Sequence, residues 1–175
     1  MKNRLFFMMI LSLLLAACFA RTTGQSKVLQ SKVMRDLAPQ VDPADLEALV
    51  QGNSAFALDF YQAVRGEDGN LFYSPLSISL ALAMTYAGAR GETEAQMAQT
   101  LHFTLPQERL HSAFNALDLQ LTAQQKTGKD KSQPFQLIIA NSLWGEQTFS
   151  FLPEFLDVIS LNYGAGLRLM DFIGA

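Results

Sequence analysis

Cysteine and histidine are almost absent from this chain. Cys18 is the single cysteine among 175 residues, so no disulfide can form within the chain and stability must come from packing. The two histidines, His102 and His111, are nine positions apart, and no cysteine or carboxylate is spaced to complete a metal-ligand set with them. We therefore predict no metal site and no cofactor, and we expect both histidines at the surface.

Clustered positive charge is also missing. Lysine and arginine never stand more than two in a row, and the net charge is −3. A protein that binds nucleic acid needs a basic face that releases counterions from the phosphates, so we predict no nucleic-acid partner. The segment KTGKDKSQP at 126–134 is predicted to be a solvated loop.

The apolar run LFFMMILSLLLAA at 5–17 is shorter than the roughly 20 residues that span a membrane. It follows Lys2 and Arg4, which is typical of an export signal. The next residues, Leu15-Ala16-Ala17-Cys18, resemble a bacterial lipobox, in which the cysteine becomes the lipidated first residue. We predict a signal peptide at 1–17 and lipidation at Cys18. Ordinary cleavage after Ala20 is the alternative.

Loss of residues 1–17 would leave 11 basic and 16 acidic residues, a net charge of −5. Residues 18–42 are polar at the start and are predicted to be a tether between the anchor and the domain at 43–175. The first helix of the domain is predicted to begin at Asn53 as N-cap, because apolar residues then recur on one helical face, at Phe56, Phe60 and Val64.

The second predicted helix opens at Ser74-Pro75, with a side-chain acceptor at the N-cap and proline at the first helical position. Its body, LSISLALAMTYAG, is apolar on every side, which indicates a centrally buried helix. The corner that follows is rich in small residues that permit tight packing and a turn of positive φ: Gly88, Ala89 and Gly91. A capping-box pair, Thr93 and Gln96, is predicted to restart the helix.

The remaining segments alternate between helix and strand. PQERLHSAFNALDLQLTAQQ is predicted to be an amphipathic surface helix, FQLIIANSLWGEQ a strand with Trp144 in the core, PEFLDVISLNYG a helix and GLRLMDF a strand. The predicted order is four helices, a strand, a helix and a strand, an α+β fold. No G-x-S-x-G pattern or other catalytic constellation is present, so we do not expect an enzyme.

Three separated motifs resemble one family. NLFYSPLSISLALAMTYAGARGETEAQM at 70–97, IIANSLW at 138–144 and FLPEFLDVISLNYGAGLRLMDF at 151–172 are similar in order and spacing to the N-terminal half of the serpins. The resemblance runs from about Asn53 to Phe172. It implies a serpin-like N-terminal portion, with several helices and the first strands of the central sheet, incomplete as given.

The resemblance also implies a conformational-switch region, where the sheet parts to admit a new strand. The residues that match it are Asn70, Ser74, Pro75, Ser77 and Asn141. A buried hydroxyl can exchange hydrogen-bond partners between two states of the sheet, whereas an apolar side chain would fit one state better. The alternative interpretation is local: Ser74 caps the helix and the other groups satisfy nearby backbone atoms.

Serpins inhibit serine proteases, and some cysteine proteases, as suicide substrates through an exposed loop near the C-terminus. No part of this sequence matches that loop, so we expect this chain alone to be inactive and to contain no reactive bond. Its expected location is the cell envelope or the extracellular space, on a membrane through Cys18. A non-inhibitory or degenerate serpin fragment at the cell surface is the alternative.

Overall fold

The computed structural model describes residues 27–66, 68–124 and 137–174. Over these ranges the predicted order of four helices, a strand, a helix and a strand is confirmed, and a short strand precedes it. The elements are β1 (Val28–Leu29), α1 (Pro43–Val64), α2 (Pro75–Tyr86), α3 (Gly91–Leu101), α4 (Gln107–Gln124), β2 (Leu143–Glu146), α5 (Pro153–Tyr163) and β3 (Leu167–Met170).

The prediction that Asn53 caps the first helix is wrong. Asp42 is the N-cap of α1: its side chain accepts a hydrogen bond from the backbone N–H of Ala44, and Pro43 occupies the first turn. Asn53 lies in the middle of α1, where its side chain is used in a contact with α2. A cap-and-proline signal, Asp42-Pro43, whose cap lies eleven residues before Asn53, therefore determines where this helix begins.

Helix α2 begins as predicted. The Ser74 side chain accepts a hydrogen bond from the Ser77 N–H at 3.3 Å, and Pro75 follows in the first turn. The corner after the helix is also confirmed: Gly91 has a φ of 62°, and a Cβ on Gly88 would lie 3.4 Å from the Phe155 ring. The predicted capping box is wrong, because α3 already begins at Gly91.

Helix α2 separates two hydrophobic clusters, which explains why its sequence is apolar on every side. On one side, Leu80, Ala83 and Tyr86 pack into a cluster formed with α1, α3 and α4. On the other side, Met84 and Ala87 pack against α5 and β3. The prediction of a centrally placed helix is therefore confirmed.

The sheet has the strand order β1-β3-β2 in the described part of the chain. β2 and β3 are parallel over four residue pairs, and β1 is antiparallel to β3. β2 is shorter than the strand expected from FQLIIANSLWGEQ, because its pairing partner β3 has only four residues. Trp144 is not in the core: its side chain is exposed and the Arg168 guanidinium lies over its ring at 5.5 Å.

Helix α4 is more buried than its amphipathic pattern indicated. His111, Ala113, Phe114 and Asn115 are all inaccessible or nearly so, because α4 packs between α1 and α5. The expectation that His111 lies at the surface is therefore wrong. His102 is partly exposed, and its Nε2 lies within hydrogen-bonding distance, 2.7 Å, of a carboxylate oxygen of Asp59.

The described part of the predicted tether, residues 27–42, also differs from expectation. Rather than leading freely away from the domain, it contributes β1 to the sheet, and Arg35 forms an ion pair with Asp118 on α4. The polar composition that predicts a tether is thus also compatible with contacts on the domain.

Many large apolar side chains remain exposed in the described ranges; they include Phe72, Ile138, Phe149, Leu152 and Ile173. Among the described residues, no helix combines the length and the apolar character that crossing a membrane requires.

Candidate functional site

The predicted switch region lies where α2 begins and the chain runs toward β2. The side-chain amide of Asn141 donates a hydrogen bond to the backbone carbonyl of Ser77, at 3.2 Å. Ser77 also donates its backbone N–H to Ser74. Ser74 therefore acts as a helix cap and Ser77 acts through its backbone groups, while the Asn141 amide joins α2 to the segment before β2.

The structure does not bring every predicted switch residue into this contact. Pro75 is half-buried in the first turn of α2, whereas Asn70 is exposed in the loop before the helix. For Ser74 the local interpretation fits, since its described side-chain hydrogen bond is the helix cap. The predicted lipidation residue, Cys18, lies outside the described residues.

A cavity of about 120 Å³ lies beside the Asn141–Ser77 contact. Its lining includes Leu80 and Met84 of α2, and its polar lining residues are Arg35, Asp118, Asn141 and Tyr163.

Sequence reasoning did not include Ser79 among the switch residues, although it is the most buried of the three serines. It is fully buried, and its hydroxyl donates to Asn53 Oδ1 at 2.5 Å, which joins α2 to the middle of α1. The signal was present in the sequence, since a serine in the middle of an apolar helix needs a partner. The partner was missed because Asn53 was assigned to a cap.

A second buried polar contact joins α4 to α5. His111 Nδ1 lies 2.7 Å from the phenolic oxygen of Tyr163. Burial lowers the pKa of His111 to about 4 and raises the pKa of Tyr163, because both charged forms would lose their hydration. The His111 ring is therefore neutral at pH 7.

No group of three or more histidine, cysteine, aspartate or glutamate side chains in residues 27–66, 68–124 and 137–174 could hold a metal ion. The chemistry available at the switch region is exchange of hydrogen bonds, with no nucleophile and base placed together there.

Comparison with known proteins identifies relatives over most of the described chain. The serpin (serine protease inhibitor) family model matches residues 51–175. The chain is 43% identical over 132 residues to the leukocyte elastase inhibitor of Sus scrofa, covering 74% of this chain and 33% of that protein. It is 40% identical over 129 residues to the leukocyte elastase inhibitor of Homo sapiens, covering 73% of this chain and 32% of that protein.

Solved structures show the same relationship. Cleaved kallistatin complexed with heparin superposes with a TM-score of 0.57 at 28% identity, over 74% of this chain and 37% of that one. Ovalbumin from the emu, Dromaius novaehollandiae, superposes with a TM-score of 0.58 at 26% identity, over 73% of this chain and 35% of that one. The chain spans about a third of the length of the curated relatives it matches. The predicted fold is confirmed, and the chain belongs to the serpin family of serine protease inhibitors.

Proposed function

We propose that this chain is the N-terminal part of an exported, lipid-anchored serpin that inhibits serine proteases as a suicide substrate. The family supports protease inhibition as the activity, and the names of the relatives make elastase-like proteases the first class of target to test. The activity would belong to the whole protein, in which a cleaved loop inserts into the sheet and deforms the acylated protease.

The hydrogen bond between Asn141 and Ser77 carries this proposal. Strand insertion requires the sheet to move relative to the helix behind it, and Asn141, two residues before β2, contacts the first turns of α2 through this amide. One side-chain hydrogen bond can break and re-form at low cost, whereas apolar packing at the same place would resist sliding.

The inhibitory activity can be tested by titrating elastase-like and trypsin-like serine proteases, with covalent complex formation read on denaturing gels. We expect the 175-residue chain to cause no stoichiometric loss of protease activity. Stoichiometric loss with this chain alone would contradict that expectation. A complete protein that is cleaved without forming a complex would overturn the inhibitor proposal and favour the non-inhibitory alternative.

The role of the switch can be tested in the complete protein with Asn141→Ala, with Ser142→Ala at the exposed neighbouring position as the control. We expect the Asn141 variant to change the fraction of inhibitor lost as cleaved, uninhibited product, and the control to leave it unchanged. Equal fractions in the two variants would remove Asn141 from the switch.

Membrane attachment is proposed from the sequence around Cys18. Nine residue steps separate Cys18 from Lys27, the first described residue, and a fully extended chain of that length reaches about 30 Å. Lipidation would therefore keep the domain close to the membrane. Cys18→Ser should release the protein from the membrane fraction and Phe19→Leu should not. A Cys18→Ser protein that remains membrane-bound would contradict the anchor.

A further inference from the structure

The ten residues 27–36, called the strap below, lie across β3, α5 and α4 in a groove that binds their backbone. At one end the strap adds β1 to the sheet, with Val28 opposite Arg168 and Leu29 opposite Leu167. The N–H of Leu169 donates to the carbonyl of Lys27 at 2.7 Å. This edge of β3 therefore receives an extended segment as its neighbouring strand.

A glycine makes the close approach possible. A Cβ on Gly166 would lie 2.9 Å from the Leu29 carbonyl oxygen and 2.9 Å from the Val28 side chain. Any larger residue at this position, immediately before β3, would push the strap off the sheet edge. The floor of the groove is thus shaped to the strap backbone.

Helix α5 supplies the next set of contacts. The buried Ser160 hydroxyl donates to the Val33 carbonyl at 2.5 Å, and the Leu161 carbonyl accepts the N–H of Asp36 at 2.9 Å. One turn earlier, Asp157 accepts a hydrogen bond from the Ser31 hydroxyl. The i, i+3 spacing of Asp157 and Ser160 places both on one face of α5.

Helix α4 supplies a pocket for the strap arginine. Arg35 Nε donates to Asn115 Oδ1 at 2.9 Å, and its guanidinium also pairs with Asp118 at 2.6 Å. The Asn115 amide nitrogen donates to the carbonyl of Asp36 at 2.7 Å, so this fully buried side chain has both its groups satisfied by the strap. Asn115 and Asp118 repeat the i, i+3 spacing seen on α5.

The strap is held by hydrogen bonds and one ion pair more than by apolar burial. Most of its large apolar side chains face water: Met34 is 85% exposed, and Val28 and Val33 are also exposed, whereas Leu29 packs against the cluster around Ile159 and Leu167. A segment that buries little apolar surface opens at a lower free energy than the core, because water can replace its hydrogen bonds.

We propose that the groove formed by the β3 edge, α5 and α4 is a docking site for an extended segment that carries an arginine, and that the strap is its occupant and leaves as a unit. Four features of the ligand are recognised. It supplies an extended strand that pairs with the β3 edge and a carbonyl that accepts from the Ser160 hydroxyl. It also supplies a second backbone carbonyl that accepts from the Asn115 amide and a guanidinium that pairs with Asp118. Release would also open the cavity that Arg35 and Asn141 both line.

Hydrogen exchange on the full chain tests whether the strap leaves as a unit. Arg35→Glu places a carboxylate beside Asp118, while Lys32→Glu makes the same charge change at an exposed strap position. We expect the Leu169 and Asp36 amides to exchange about tenfold to a hundredfold faster in the Arg35 variant than in the Lys32 variant, as loss of a charge-assisted contact implies. The Ala87 amide, inside the domain, should be unchanged.

Three results would overturn the proposal: equal exchange at Leu169 in the two variants, loss of protection at Ala87 together with the strap, or failure of Asp118→Arg to restore protection when added to Arg35→Glu. The double variant exchanges the charges of residues 35 and 118 and so restores an ion pair between them. Recovery of protection in this variant would show that the loss in Arg35→Glu comes from the broken contact and not from a general loss of stability.

A labelled peptide of residues 27–37 tests the docking site itself. Its fluorescence anisotropy should rise more with the Arg35→Glu chain, whose groove is open for a larger fraction of the time, than with the unaltered chain, whose groove is filled by the strap. A scrambled peptide should bind neither. Equal binding of the two peptides, or no binding to the Arg35→Glu chain, would show that the groove does not recognise this segment.

Discussion

The ring of His111 contacts Tyr163 through Nδ1 at 2.7 Å, while its other nitrogen, Nε2, has no hydrogen-bond partner among the described residues. Protonation would add a charge to a buried site with two aromatic neighbours, Tyr86 and Tyr163, and would leave the N–H of Nε2 without an acceptor among the described residues. Of the charged groups nearby, Glu108 favours the protonated ring and Arg90 opposes it, but burial dominates. Burial therefore favours the neutral imidazole in this contact.

The first prediction concerns stability below neutral pH. The folded pKa of His111, about 4, lies below its ordinary value of 6.5, so between these values the unfolded chain binds more protons and stability falls as pH falls. The loss should approach about 3 kcal/mol at pH 4. Urea unfolding between pH 7 and pH 4 measures it. His111→Gln, which cannot titrate, should flatten this part of the profile, and an unchanged slope in that variant would contradict the assignment.

The second prediction concerns the hydrogen bond between α1 and α2. Ser79→Ala leaves Asn53 Oδ1 without its donor at a half-buried position, so the free energy of unfolding should drop by about 1–2 kcal/mol. Ser54→Ala is the control, because Ser54 is exposed and bonds only to Val50 of its own helix. Adding Asn53→Ala to Ser79→Ala should cost less than the sum of the single changes. Strict additivity would argue against direct coupling.

The third prediction concerns the approach of α1 to the residue that ends α3. A Cβ on Gly52 would lie 2.3 Å from the backbone carbonyl oxygen of His102, a residue held at a φ of 55°. Because a backbone atom cannot rotate away, Gly52→Ala should destabilise the fold by about 3 kcal/mol or more.

Gly66→Ala is the matched control for that substitution, since a Cβ there has no neighbour within 4 Å. Its free energy of unfolding should stay within about 0.5 kcal/mol of the unaltered chain. Thermal melts of the two variants side by side measure the difference, and similar midpoints would show that α1 can shift away from His102.

The fourth prediction concerns the carboxylate of the last residue of β2. Glu146 is buried and accepts backbone N–H bonds from Phe172 at 2.7 Å and Thr148 at 3.0 Å, and these bonds hold the pKa of Glu146 below its usual range. The contribution of Glu146 to the free energy of unfolding is fully present above the ordinary pKa of 4.5. It is lost as the pH falls through the lowered pKa of the folded state.

Glu146→Gln should therefore lower the stability of the fold at pH 7, and the further loss of stability in strong acid should be smaller than in the unaltered chain. The exposed Glu47→Gln should have neither effect. Acid titration followed by circular dichroism measures both effects. If the two variants unfold identically as the pH is lowered, the Glu146 carboxylate contributes nothing to the stability of the fold.

Local sequence signals determined several elements of this protein. Ser74 and Pro75 fix the start of α2, because a cap and a proline act within one turn of helix. Gly91 supplies the positive φ of the corner, and the apolar body of α2 required burial on both sides. The three spaced motifs were enough to indicate the family and hence the fold.

Tertiary structure decided what those signals could not. The partners of Ser79, His111 and Arg35 are 26, 52 and 80 residues away in the chain, and helical periodicity carries no information about which distant group meets a polar side chain. The same limit applies to residues 27–36: their polar composition predicts a solvated tether, and it is equally compatible with a groove whose donors and acceptors are provided by α4, α5 and the edge of β3.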